Sequence, residues 1–236
     1  SINVWRCLLQ FIGGLGVVVV AVAVLPLLGV GASQMYKAET PGPMKDSKLT
    51  PRIAETARGL WVVYVGLSVA CTLAYRAAGM GWADAFMHMC STMGLGGFAA
   101  YDASFGAFDS PRIEAVAVVF MLLAGINFAL YFLVWKKRSP AVLWHDLEVR
   151  MYVPLMLTSV LGVAVFLWAN EVYPGFWTAL RHSAFNVVSV ATTTGYATVD
   201  YAQWPIFAPV LMLFLCSFAT CAGSTGGGIK LIRSLL

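Results

Sequence analysis

The chain has 236 residues, of which 60% are hydrophobic and 11% charged, and its formal net charge is +4. Soluble domains carry roughly 25% charged residues, so an ordinary water-soluble globule is excluded. This much apolar side chain also excludes a disordered chain, and so small a charge excludes a nucleic-acid-binding protein. The apolar surface needs lipid to cover it, which makes the bilayer the first expected partner.

Five stretches free of charged side chains fall at residues 7–36, 59–75, 115–135, 151–170 and 201–229. A transmembrane helix needs about 20 apolar residues, so five are predicted, in an all-α membrane protein. The first carries Gly13, Gly14 and Gly16, small residues suited to close helix packing. A turn-rich connection follows, in which Thr50 before Pro51 predicts a helix N-cap with proline at the first helical position. That connection holds Lys37, Lys45, Lys48, Arg52 and Arg58, and a later one holds Lys136, Lys137, Arg138 and Arg150. Five alternating helices put both on one face, which the positive-inside rule makes cytoplasmic, with Ser1 outside and Leu236 inside. The other two connections are acidic on balance, with Asp84, Asp102, Asp109, Glu114, Glu171 and Asp200 against Arg76, Arg112 and Arg181. A start without Met, and without a signal-peptide pattern, is expected of an internal piece of a longer protein. Cys7, Cys71, Cys90, Cys216 and Cys221 lack CxxC spacing and read as buried thiols.

Laid over one another, the two acidic connections repeat. Gly81, Ala85 and His88 match Gly175, Ala179 and His182; after a four-residue insertion in the second copy, Gly97-Phe98-Ala99 matches Gly195-Tyr196-Ala197, and Asp102 matches Asp200. Each copy predicts a short helix, at 82–91 and 176–190, then a Gly/Thr-rich strand, at 92–98 and 192–196. Taken singly, each such segment also fits a glycine-rich surface loop. At membrane depth, non-helical backbone is tolerated only where protein or a water-filled cavity satisfies it. A half-helix ending there aims its negative end at the cavity. Glycines let successive carbonyls turn to one side and threonines add hydroxyl acceptors, a set that replaces the water around an alkali cation. The paired pattern therefore predicts a re-entrant cation filter.

His88 and His182 have no second ligand at i+4 and are expected to pack and hydrogen-bond on the short helices. Asp102 and Asp200 are expected at the outer mouth, attracting cations or supporting the filter. Gly223, Ser224, Thr225, Gly226, Gly227 and Gly228 precede Lys230, but Ile229 intervenes and no strand comes before them, so the phosphate-loop pattern is missed. The cluster predicts a broken helix beneath the filter that moves or blocks a path, with close helix crossing as the alternative.

Trp5-Arg6 with Gly13-Gly14-Leu15-Gly16, Ala38-Glu39-Thr40-Pro41-Gly42-Pro43 with Lys48-Leu49-Thr50-Pro51-Arg52-Ile53, the two filter segments, and Ala222 through Lys230 together resemble the Trk/Ktr/HKT superfamily of potassium transporters. The likeness runs over essentially the whole chain and is strongest to the bacterial Trk branch. It implies potassium-channel-like repeats of helix, re-entrant pore loop and helix, four to a pore. Residues 1–36 would be the second helix of repeat 1, 37–58 a cytoplasmic loop, 59–135 repeat 2, 136–150 a cytoplasmic loop, and 151–236 repeat 3 with a broken final helix. Gly97 and Gly195 become filter glycines, the carbonyls of Leu95, Gly96, Thr193 and Thr194 face potassium, and Thr192 stands at the inner end. Residues 223–228 become the gate.

The implied function is potassium uptake across the plasma membrane, the bacterial inner membrane, with the potassium ion as the only cofactor. Implied partners are a second copy, in a homodimer, and a cytosolic nucleotide- and NAD-binding regulatory subunit at the basic loops. Four strands must surround the ion, so the two strands here are not expected to form a selective pore alone. A potassium symporter coupled to sodium or protons and a non-conducting scaffold are the alternatives; the charge-free spans hold no acid for proton coupling, which favours conduction. No nucleophile or metal cluster accompanies the histidines, so an enzyme is not expected.

Overall fold

The computed structural model describes residues 2–24, 53–231 and 234. Residues 25–36 of the first predicted span, and the basic connection with its Thr50-Pro51 cap, lie outside the described residues. Nine α-helices and two 3-10 turns form among the described residues, with no β-strand. They are α1 (Ile2–Val24), α2 (Ile53–Ala78), α3 (Trp82–Met93), α4 (Pro111–Ala124), α5 (Phe128–Lys137), α6 (Ala141–His145), α7 (Leu147–Ala169), α8 (Phe176–Ala191) and α9 (Phe207–Cys216), with 3-10 turns at Ser104–Ala107 and Tyr201–Gln203.

Among the described residues, two helices are long and apolar enough to cross a membrane on their own, Arg58–Ala78 within α2 and all of α7. At about 1.5 Å per residue each matches the roughly 30 Å hydrocarbon core. Both carry outward apolar stripes at helical spacing, Trp61, Val65, Val69 and Leu73 on α2 and Leu157, Leu161, Val165 and Trp168 on α7. Polar residues go the other way: Ser68, His88, Ser91, Thr92, Ser183, Asn186, Ser189 and Thr192 are buried. That inversion is what lipid as the outer solvent dictates.

The third predicted span is not one helix. α4 and α5 meet at 88° across Gly125, Ile126 and Asn127. Asn127 adopts extended backbone and its Oδ1 accepts the Ala129 amide at 2.9 Å, a helix N-cap inside an uncharged run. Gly125 has no room for a side chain, because a Cβ there would overlap the Tyr152 hydroxyl. The fifth predicted span also stops early: α9 ends at Cys216, seven residues before the glycine cluster begins at Gly223, and residues 217–230 are non-helical.

The two short helices lie inside. α3 packs against α1, α2 and α4, and α8 packs against α7, α9 and α4, so α4 touches both. Their outer ends are exposed at Trp82 and Trp177, while their inner turns are among the most buried residues of the molecule. α3 runs to Met93, so Thr92 and Met93 are its last turn rather than the start of a strand, and the segments after both helices are turns with left-handed residues, not strands.

Candidate functional site

The inner ends of α3 and α8 are copies of one backbone design. The amides of Gly94, Leu95 and Gly96 donate to the carbonyls of Cys90, Thr92 and Ser91 at 3.2, 3.2 and 2.9 Å. Ninety-eight residues later, Thr192, Thr193 and Thr194 donate to Val188, Val190 and Ser189 at 2.9, 2.9 and 2.8 Å. The φ angles follow the same offset: Leu95 (48°) and Gly97 (69°) match Thr193 (62°) and Gly195 (88°), all left-handed. Leu95 and Thr193 hold a conformation that costs an L-residue about 1–2 kcal/mol, so the fold imposes it in both copies. At the other end of the helices the offset is 94, Gly81 to Gly175. The four extra residues are absorbed inside the helix, since α8 has 16 residues and α3 has 12.

The two segments touch. A Cβ on Gly97 would overlap the Thr194 carbonyl oxygen, whereas a Cβ on Gly195 meets nothing within 4 Å. Behind them, the Tyr196 hydroxyl donates to the His88 carbonyl at 3.2 Å and lies 3.3 Å from the Thr92 hydroxyl, which in turn is 2.8 Å from that of Tyr75. Phe105 is fully buried among the rings of Tyr75, His88, Phe185 and Tyr196, with centroids 4.4–6.2 Å away. The first copy's outer turn braces the second segment: Gly106 donates its amide to Ala197 at 3.2 Å, and Ser104 Oγ accepts the Ala197 amide at 3.3 Å. Within the second segment the Ser189 hydroxyl donates to the Tyr196 carbonyl at 2.7 Å, and the Thr192 and Thr194 hydroxyls are 2.8 Å apart.

The histidines serve packing and hydrogen bonding. His88 Nδ1 meets the Asp84 carbonyl at 2.8 Å, its ring lies edge-on to Phe105 and Phe108, and its Nε2 finds no partner among the described residues. His182 stacks on Tyr173 and reaches the Thr198 hydroxyl at 3.3 Å. Asp102 is exposed, and Asp200 caps its 3-10 turn by accepting the Ala202 amide at 3.1 Å and the Gln203 side chain at 3.0 Å. Tyr101 donates to Asp84 at 3.2 Å, and the charge of that carboxylate pushes the phenol above its ordinary pKa. No group of three His, Cys, Asp or Glu able to hold a metal occurs among the described residues.

The glycine-cluster loop lies against both inner ends. Thr225 Oγ1 donates to the Met93 carbonyl at 2.9 Å, and the Gly227 amide donates to Thr193 Oγ1 at 2.8 Å. The loop is held to itself by the Thr220 hydroxyl on the Gly227 carbonyl at 2.9 Å, the Ile229 amide on the Ser217 carbonyl at 2.7 Å, and Lys230 on the Gly226 carbonyl.

Sequence reasoning missed the residues that join the parts. Gln10 of α1 donates its side-chain amide to the Gly94 carbonyl at 3.0 Å and leaves no room for a Cβ on Gly96. Arg181 grips Glu114 at 2.7 and 2.8 Å and Asp109 at 2.9 Å, tying α8 to α4. Glu148, buried at the start of α7, accepts the Ala222 amide at 3.1 Å. Glu114 and Glu148 sit just before uncharged runs and Arg181 between two of them, so scanning for charge-free spans assigns all three to loops.

The family model described as TrkH, Cation transport protein, matches residues 1–236. The Trk system potassium uptake protein TrkH of Salmonella typhimurium is 49% identical over 236 residues, 100% of this chain and 49% of that protein. TrkH of Halomonas elongata is 45% identical over the same share of each. Among solved structures, the crystal structure of the potassium transporter TrkH from Vibrio parahaemolyticus superimposes with a TM-score of 0.84 at 40% identity, covering 99% of this chain and 47% of that one. The chain thus spans about half the length of the curated relatives it matches. With its apolar helices it is a multi-pass protein of the bacterial inner membrane. A match over every residue, at this identity and with the same fold, makes the chain a member of the TrkH cation transport protein family.

Proposed function

We propose that this chain contributes part of a potassium uptake pathway: the second helix of repeat 1 (1–36), repeat 2 (59–135) and repeat 3 (151–236), joined by cytoplasmic loops at 37–58 and 136–150. Gly97 and Gly195 are the filter glycines, and the carbonyls of Leu95, Gly96, Thr193 and Thr194 face the ion, with Thr192 at the inner end. α3 and α8 are re-entrant half-helices whose negative C-terminal ends point toward the cation. Residues 223–228 form the gate beneath. Asp102 and Asp200 stand near the outer mouth, Asp200 as a brace for the segment below it.

The observation that carries this reading is the identical amide-to-carbonyl pattern and left-handed φ pair in two segments 98 residues apart. Two surface loops have no reason to share a strained backbone. Alternating left- and right-handed residues turn successive carbonyls to one side, which a dehydrated cation requires. The names of the relatives supply potassium as the ion. In keeping with the family likeness, two copies associate in the membrane, and the basic C-terminal end of α5, at Lys136 and Lys137, faces a cytosolic nucleotide- and NAD-binding regulatory subunit.

The test is rubidium against sodium flux in liposomes containing the complete protein to which these residues belong, with Gly195→Ser beside it. Selective rubidium flux that becomes less selective in the variant supports the filter. Unchanged selectivity in a folded variant removes Gly195 from the filter and refutes the mechanism.

A further inference from the structure

The break between α4 and α5 leaves carbonyls at the end of one helix and amides at the start of the next without intrahelical partners. Away from water such groups need partners from the protein. The glycine-cluster loop supplies them: the Cys221 amide donates to the Gly125 carbonyl at 3.1 Å, and the Phe128 amide donates to the Gly223 carbonyl at 3.1 Å. The loop is non-helical and must place its own backbone groups too: the buried Ala222 amide, between those two contacts, goes to the Glu148 carboxylate at 3.1 Å.

Glu148 is only 2% exposed. Its helix is already capped by Asp146, whose Oδ1 accepts the Val149 amide at 3.1 Å, so capping does not explain a second acid there. Burying a carboxylate is unfavourable unless it is well hydrogen-bonded, and a charge-assisted bond to a backbone amide is among the stronger ones. Asn127 works from the other side. Its Oδ1 fixes the first turn of α5, and a Cβ on Gly223 would fall 2.6 Å from that same oxygen, so the loop rests directly on the cap. Two further loop residues face the Gly/Thr segments, Thr225 through the Met93 carbonyl and Gly227 through Thr193, and Thr225 also lies 3.4 Å from the Ala124 carbonyl at the end of α4.

We infer that Glu148 and Asn127 are positioning residues that latch the loop into the break between α4 and α5, and that releasing the latch raises ion flux without changing which ion is preferred. The inference rests on the reading of residues 223–228 as a gate. Loop and break satisfy one another's backbone groups, so the docked state is favoured by several bonds at once, and Glu148 holds the one that neither helix end supplies.

The experiment measures rubidium influx and the rubidium-to-sodium ratio for the complete protein in liposomes, with folding checked by monodisperse elution in detergent. Glu148→Ala is expected to raise rubidium influx about tenfold, the worth of one hydrogen bond to a charged group, at an unchanged ratio. Glu148→Gln keeps an oxygen for the Ala222 amide but loses the charge, and is expected to raise influx only about threefold. Unchanged or lower influx in folded Glu148→Ala overturns the latch, and so does an equal rise in Glu148→Gln. If Glu148→Ala does not fold, Asn127→Ala decides on the same criteria. A loop variant, Gly228→Ala, strains a left-handed position without touching Glu148 or Asn127. Altered influx there with none in Glu148→Ala refutes the latch alone; no change in either refutes the gate.

Discussion

Gly97 presents its α-carbon to the carbonyl oxygen of Thr194, the neighbouring segment's backbone, with no space for a Cβ between them. Gly195, at the equivalent place in the second copy, faces open space. Both are left-handed, at 69° and 88°, so alanine is strained at either by about 1 kcal/mol. Among the described residues, only Gly97→Ala adds a clash with backbone, which cannot rotate away. Gly97→Ala is therefore expected to lower the thermal unfolding midpoint in detergent by clearly more than Gly195→Ala. Equal shifts would mean the two segments are not in contact.

The Arg181 guanidinium bridges a buried carboxylate and an exposed one, with side chains 4% exposed at Glu114 and 86% at Asp109. Removing Arg181 leaves Glu114 buried without its cation. After discounting for the partial exposure of Arg181, Arg181→Gln is expected to cost about 2–3 kcal/mol, and Asp109→Asn less than about 0.5 kcal/mol. Glu114→Gln in the Arg181→Gln background should recover part of the loss. Chemical unfolding of the four proteins measures all three terms.

Three hydroxyls, those of Tyr75, Thr92 and Tyr196, form one buried chain behind the paired segments. Tyr75→Phe and Tyr196→Phe each remove one link, for about 1 kcal/mol. Because they share Thr92, the double variant is expected to cost less than the sum. If the chain holds the segments at a fixed separation, both single variants also lower the rubidium-to-sodium ratio in the liposome assay. A ratio unchanged in both would confine the chain to stability.

The break at Gly125 depends on Tyr152, whose hydroxyl donates to the Leu122 carbonyl at 3.2 Å and occupies the space a Cβ would need. Gly125→Ala is expected to destabilise the protein by about 1–3 kcal/mol through overpacking. Tyr152→Phe removes the overlapping oxygen, so Gly125→Ala should be milder in that background. Unfolding midpoints of the pair and the single variants check this.

How far the sequence spoke differs from part to part. The paired segments were legible because a repeat shows itself twice: His88 and His182, Gly97 and Gly195, and Asp102 and Asp200 align without coordinates. The 88° turn at Asn127 was not, since hydropathy is indifferent to a cap residue within an apolar run. α9 stops at Cys216, short of the glycines that signal a break, and the chain beyond it is held by distant partners: the Ile229 amide donates to the Ser217 carbonyl, and the Cys221 amide goes to Gly125, 96 residues away in sequence. Glu148 lies in the first turn of α7 and Arg181 in the second turn of α8, both outside the uncharged runs, where charge scanning treats every acid and base as solvated. Burial there is decided by which helix packs alongside.

The extra turn of α8 has its own consequence. Both short helices are pinned at their inner ends by the same hydrogen-bond pattern, so the four added residues displace the outer end of α8 by about 6 Å relative to that of α3. They also rotate it by only about 40°, because four residues are close to a whole turn. Ala179 and His182 consequently keep nearly the facing that Ala85 and His88 have. Two residues would have swung the outer half of the helix by about 160° and turned Trp177 into the protein. Length differences among these helices are thus quantised: one turn can be gained or lost at the outer surface, while steps of one or two residues are closed off by the geometry of the inner end.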